Sequence, residues 1–187
     1  MKKDIFKERE RAFEAVYFAE LDAELIERHH QNREESRDRR DLAKATGISN
    51  KGLLDRILEL GVRPSNLEAL SLAPLICVAW ANGSPAQDQR TAALKAAMTE
   101  EIGKDTPSFL FFEALLSHGP DPKLMDIWRG YIASLLSHLD ARACELIRNS
   151  LLDRAEEIAK ASGGIMGVGS ISRNERQVLD EIESAMN

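Results

Sequence analysis

One short turn gathers polar side chains, Asn82, Asp88 and Gln89, within Ala79-Trp80-Ala81-Asn82-Gly83-Ser84-Pro85-Ala86-Gln87-Asp88-Gln89-Arg90. Hard cations such as calcium and magnesium select oxygen ligands, and affinity falls as charged oxygens are removed. Here one acid, Asp88, stands beside two amides. Amide carbonyls can ligate, but they bring no charge, so the stretch offers a single charged oxygen ligand. The same residues have a plain structural use. Asparagine tolerates a left-handed turn and hydrogen-bonds nearby backbone, so Asn82-Gly83 also reads as a turn that supports the start of the next helix.

Other candidates carry less. Gly163, Gly164, Gly167 and Gly169 make a glycine-rich loop ahead of a helix, a setting that can cradle phosphate. The loop lacks the Gly-Lys-Ser/Thr ending of a P-loop and follows no strand, so the expectation is a tight path with Ile165, Met166 and Val168 turned to the core. His29 and His30 are adjacent and point apart on a helix. His30 and Glu34 make an incomplete metal pair. His118 and His138 stand at helix ends, where imidazole meets exposed carbonyls. None of these has a nucleophile at a telling spacing, and no catalytic residue is assigned. Cys77 and Cys144 match neither a zinc set nor a disulfide framework, and are expected as buried free thiols.

The elements that position these groups read as helices. Residues 4 to about 45 form a long helical pattern with a stripe of Phe6, Phe13, Val16, Tyr17, Leu21 and Leu25. The stripe stops near Ile26. Acids and bases then alternate through Arg33, Arg37 and Arg40, a segment that i,i+4 pairs keep helical but that has nothing to bury. Gly47 ends the arm, Ser49 or Asn50 opens a helix to Leu60, and Gly61 closes it. Ser65 and Glu68 have capping-box spacing, as do Ser84 with Gln87 and Ser172 with Glu175. Pro74 interrupts the helix that follows Ser65 and predicts a kink or break. The helix after Ser84-Pro85 is expected to reach about Ile102. Thr106-Pro107, Asp121-Pro122 and Asp140 open three more. No period-2 alternation of β-branched residues appears, so the expected class is all-α.

The pattern Ala79-Trp80-Ala81-Asn82-Gly83 followed by Gln89-Arg90 resembles the hairpin of the tellurite-resistance TerB-like domains. The resemblance extends over residues 66–187, including the segment 159–170. It implies a multi-helix TerB-like bundle and a divalent-cation site. In that family the positions of Asn82 and Gln89 are an Asp and a Glu, so this chain departs by two amides. The opening Phe6-Lys7-Glu8-Arg9-Glu10-Arg11-Ala12-Phe13-Glu14 is similar to that of the small inhibitor, zeta, of bacterial F-type ATP synthase. That likeness lapses where Glu34 to Arg40 begins.

Composition bounds the function. The 187-residue chain carries a formal net charge of -6, which argues against nucleic-acid binding driven by counterion release. No window is apolar enough to span a membrane, and the charged N-terminus lacks a secretory core, so a cytoplasmic protein is expected. The expected organisation is an N-terminal long helix and helical hairpin over 1–62, then a TerB-like domain over 63–187. The function it suggests is non-enzymatic: an interaction or scaffold module that binds a protein partner or a second copy through Phe6, Phe13, Tyr17, Arg33, Arg37 and Arg40. The resemblance adds a stress-related setting. The alternatives are a metal-sensing module using the 82–89 turn, and an enzyme with a pocket between helices.

Overall fold

The computed structural model describes residues 2–98, 102–161 and 171–187, with side chains from Ala23 onward. Among them are nine α-helices, one 3-10 turn and no strand. The helices are α1 (Lys2–Thr46), α2 (Lys51–Glu59), α3 (Glu68–Ser71), α4 (Ala73–Ala79), α5 (Gln87–Ala97), α6 (Pro107–His118), α7 (Leu124–Leu136), α8 (Ala141–Lys160) and α9 (Arg173–Ala185). The 3-10 turn is Pro64–Asn66. No helix among the described residues is long and apolar enough to cross a membrane.

Two compact units divide between Arg40 and Asp41. The first holds most of α1. Every residue from 23 to 37 is exposed. The helix is supported along its surface by i,i+4 pairs, with Arg28 Nη2 on Glu24 Oε1 at 2.8 Å and Gln31 Nε2 on Glu27 Oε1 at 3.1 Å. Each such pair contributes roughly 0.2–0.5 kcal/mol.

The second unit begins inside the last turns of α1. Residues 41–62, grouped with the arm on sequence grounds, belong to its core: Leu42, Ile48, Leu54, Ile57, Leu58 and Val62 are all buried there. The compact units divide at 40/41, so residues 41–62 share a unit with the helices that follow them. Gly47 closes α1 with φ +69°, and its N–H bonds the Ala43 carbonyl at 3.0 Å. The Asn50 side chain accepts from Leu53 N and opens α2. Leu54, Ile57 and Leu58 form the inward face of α2, at the spacing an amphipathic helix requires.

Pro74 breaks the segment as expected. α3 ends at Ser71, Leu72 makes a 3-10-like bond to the Ala69 carbonyl, and α4 restarts with Pro74 in its first turn, where the missing N–H is not needed. α4 is apolar all round, with Ala73, Pro74, Leu75, Ile76, Val78 and Ala79 buried. It packs against α5, α6, α7, α8 and α9, which makes it the axis of the second unit. α5 lies on α8, and each carries fully buried alanines at a four-residue spacing, Ala93 and Ala97 on one, Ala155 and Ala159 on the other. Small residues of this kind let two helices approach closely.

Three expected boundaries move. The Ser65–Glu68 capping box is absent: Asn66 Oδ1 accepts from Arg63 N, and the Glu68 carboxylate accepts instead from the hydroxyl of Ser108 on α6. The box expected at Ser84 and Gln87 sits two residues later, with Gln89 Oε1 accepting from Ala86 N at 3.0 Å. α5 ends at Ala97 and does not reach Ile102, because Met98 turns extended. By contrast, Thr106, Asp140 and Ser172 cap α6, α8 and α9 with their side chains as the sequence predicts.

Candidate functional site

The turn between α4 and α5 is built from the chain outward. Val78 and Ala79 bury the end of α4, and the helix stops at Trp80. Gly83 then reverses the chain at φ +93°, its N–H bonding the Trp80 carbonyl at 2.8 Å. Two anchors hold the turn to α6. The indole Nε1 of Trp80 donates to the Leu116 carbonyl at 2.9 Å, and Arg90 Nη1 donates to the same carbonyl at 3.3 Å. Arg90 Nη2 also reaches Ser117 Oγ. A cation and an N–H on the last carbonyls of a helix satisfy acceptors that the helix itself leaves open. Gly119 lets the ring lie close: a Cβ there would stand 3.3 Å from Trp80, and the residue has φ +93°.

The polar side of the turn faces α9. Glu175, three residues into that helix's capping box, has no exposed surface. Its Oε1 accepts from Gln89 Nε2 at 2.8 Å and from Asn82 Nδ2 at 3.1 Å, and its Oε2 accepts from Ser172 N at 2.7 Å. The amide oxygens are also engaged. Asn82 Oδ1 accepts from Ser172 Oγ at 3.2 Å and Asn174 Nδ2 at 3.3 Å, and Gln89 Oε1 accepts from Ala86 N. Three N–H donors around one carboxylate are what a buried acid needs to offset its desolvation.

Asn82 and Gln89 thus meet, as expected, but around a carboxylate and not around an empty ligand space. Asp88 does not join them. It is exposed on the first turn of α5. As placed, these residues do not fit a cation site: both amides turn N–H groups toward Glu175, and both amide carbonyls already accept from the protein. Among the described residues no group of three or more His, Cys, Asp or Glu is arranged to hold a metal ion. Asn82 also differs from its turn-capping expectation, since its side chain bonds the start of α9 and not that of α5.

The remaining candidates are dispersed. Gly163, Gly164, Gly167 and Gly169 lie outside the described residues, as do the side chains of Phe6, Phe13 and Tyr17. Arg33, Arg37 and Arg40 are exposed on α1, with Arg40 Nε on the Ser36 carbonyl at 3.1 Å. Arg33 lines a shallow hollow with Ile26, His29 and His30. His118 and His138 each place Nδ1 at the carbonyl four residues back, Ala114 and Ser134, as their positions at helix ends predict. Both cysteines are free and half-buried, where full burial was expected. Burial, together with the Glu181 carboxylate, pushes the Cys77 thiol up to about 12, so it remains an unreactive protonated thiol at neutral pH.

Glu175 is the residue that sequence reasoning missed as a site member. Its capping-box spacing marks it as local, and such glutamates ordinarily face solvent. Nothing within α9 points to partners on α5. Comparison with known proteins finds no family model, no curated protein and no solved structure that matches the chain.

Proposed function

We propose that this protein is a non-enzymatic interaction or scaffold module of TerB-like type in a stress-related setting, with α1 as the element that engages a protein partner or a second copy. The supporting observation is the exposure of the arm. Every side chain from 23 to 37 faces solvent, and Leu25 and Ile26 remain 41% and 59% exposed. Apolar residues left open beside a dense charge pattern suit a protein surface, where the apolar groups supply affinity and the charges set register and partner choice. The 82–89 turn works as structure in this reading, since its polar groups are consumed in tying α9 to the core.

Capture from a host lysate tests the assignment. The full chain should retain a defined set of partners, and sedimentation should show whether that set includes a second copy. Changing Leu25 and Ile26 together to Gln should reduce capture at least tenfold without altering the circular dichroism spectrum. Capture of the same partners at the same strength by that variant would remove the arm from the interface.

A further inference from the structure

A half-open groove of about 350 Å³ runs along α8 in the second unit, a size at the lower end of small-molecule sites. Its floor and walls are aliphatic, with Leu135 of α7 and Leu146 and Ile147 of α8 among them. Leu146 is 63% exposed, the largest value among the exposed large hydrophobic residues described. The groove is not apolar throughout. Leu146, Ser150 and Arg154 follow one another at four-residue spacing on one line of α8, so the lining changes from aliphatic to hydroxyl to cation over about 12 Å. Such a gradient matches a ligand with an alkyl body and an anionic head.

Toward the described residues the polar end has capacity to spare. Among the described residues Arg154 makes one hydrogen bond, from Nη1 to the Ala96 carbonyl at 3.3 Å, and no ion pair. A guanidinium has five N–H donors, and a carboxylate is the planar acceptor they fit. Ser71, also in the lining, pairs with the Tyr131 hydroxyl at 2.9 Å. Burial holds the Tyr131 phenol above its ordinary range.

The occupant is a small molecule by the extent of the apolar surface. A docked helix would need an apolar face continued over several turns. On α8 the surface beyond the groove is charged, with Arg142, Glu145, Asp153 and Glu157 exposed. We propose that this groove binds an amphipathic monocarboxylate of medium chain length, its alkyl part on Leu135, Leu146 and Ile147 and its head group at Arg154 and Ser150.

Calorimetric titration of the full chain with decanoate, decanol and decyltrimethylammonium tests this. Decanoate should bind saturably at one site, decanol at least tenfold more weakly, and the cation not at all. Arg154→Gln should weaken decanoate at least tenfold and leave decanol unchanged. Leu146→Asp, at an exposed position that cannot disturb the core, should weaken both. Absence of saturable decanoate binding overturns the proposal, as does equal affinity for decanoate and decanol or an unchanged decanoate affinity in Arg154→Gln. A self-association abolished by Leu146→Asp, without saturable decanoate binding, would assign the groove to a second copy and overturn it equally.

Discussion

An acid at position 82 or 89 would set a second carboxylate within hydrogen-bonding distance of Glu175, and acids at both would collect three. Amides remove that conflict, since each presents an N–H where an acid would present a lone pair. The consequence can be measured. The double variant Asn82→Asp/Gln89→Glu should lose about 3 kcal/mol without added cation, the cost of buried charge left uncompensated. For a chain of this size the loss lowers Tm by roughly 6–12 °C. Three carboxylates are also a fair calcium ligand set, so calcium at about 1 mM should restore most of the loss. Differential scanning calorimetry with calcium and with a chelator is the measurement. An identical Tm in both would show that the turn cannot be made into a cation frame by restoring charge. The identity of residues 82 and 89 as amides was plain in the sequence. Their partner was not, because Glu175 lies 93 and 86 residues away along the chain.

Among the elements, the caps differ in how far they reach. Asp140 Oδ1 accepts from Ala143 N at 2.7 Å at an exposed helix start. Ser172 accepts from Glu175 N and in addition donates to Asn82, so the same device closes α9 and docks it on the α4–α5 turn. Asp140→Ala should therefore cost about 1 kcal/mol, the ordinary value of an N-cap. Ser172→Ala should cost about 2 kcal/mol, because it also leaves an Asn82 lone pair short of a donor. Urea unfolding of the two variants beside the parent measures the difference, and equal losses would mean that the Asn82 contact contributes nothing. At this scale most of the fold was readable, since capping is decided within four residues. One of the two misread caps is instructive. Ser84 with Gln87 and Ala86 with Gln89 are both reasonable helix starts by spacing, and the second is the one that lets Gln89 also reach a buried carboxylate.

For the whole molecule the division at Arg40 carries a prediction. Among the residues whose side chains are described, the core of the second unit includes Leu42 and Ile48 and none before Leu42. A chain beginning at Asp41 should consequently lose the arm's helical signal but still melt cooperatively, within about 2 °C of the full protein, while a chain beginning at Lys51 should melt at least about 8 °C lower. The second deletion removes the buried Leu42 and Ile48, and each buried aliphatic side chain contributes about 2–5 kcal/mol. Thermal denaturation followed by circular dichroism separates these outcomes, and equal melting of the two truncated chains would place the unit boundary after α1. The sequence alone set the boundary later, at 62/63. The pattern puts the end of the arm's apolar stripe near Ile26, but nothing in Asp41 to Val62 distinguishes a helix turned on the arm from one turned into a core.

What the sequence by itself determined is the class and the punctuation: helices throughout, a proline break at Pro74, a glycine end at Gly47, and side-chain caps at Thr106, Asp140 and Ser172. These follow from interactions within one turn, so they are complete in a short window of chain. Only the tertiary structure decided the purpose of the turn at Asn82. A carboxylate from α9 is buried against it with no surface exposed, and the two amides answer that charge. Burial brings its desolvation cost only when α9 packs on α4, and that packing joins segments whose spacing in the sequence records nothing of their contact.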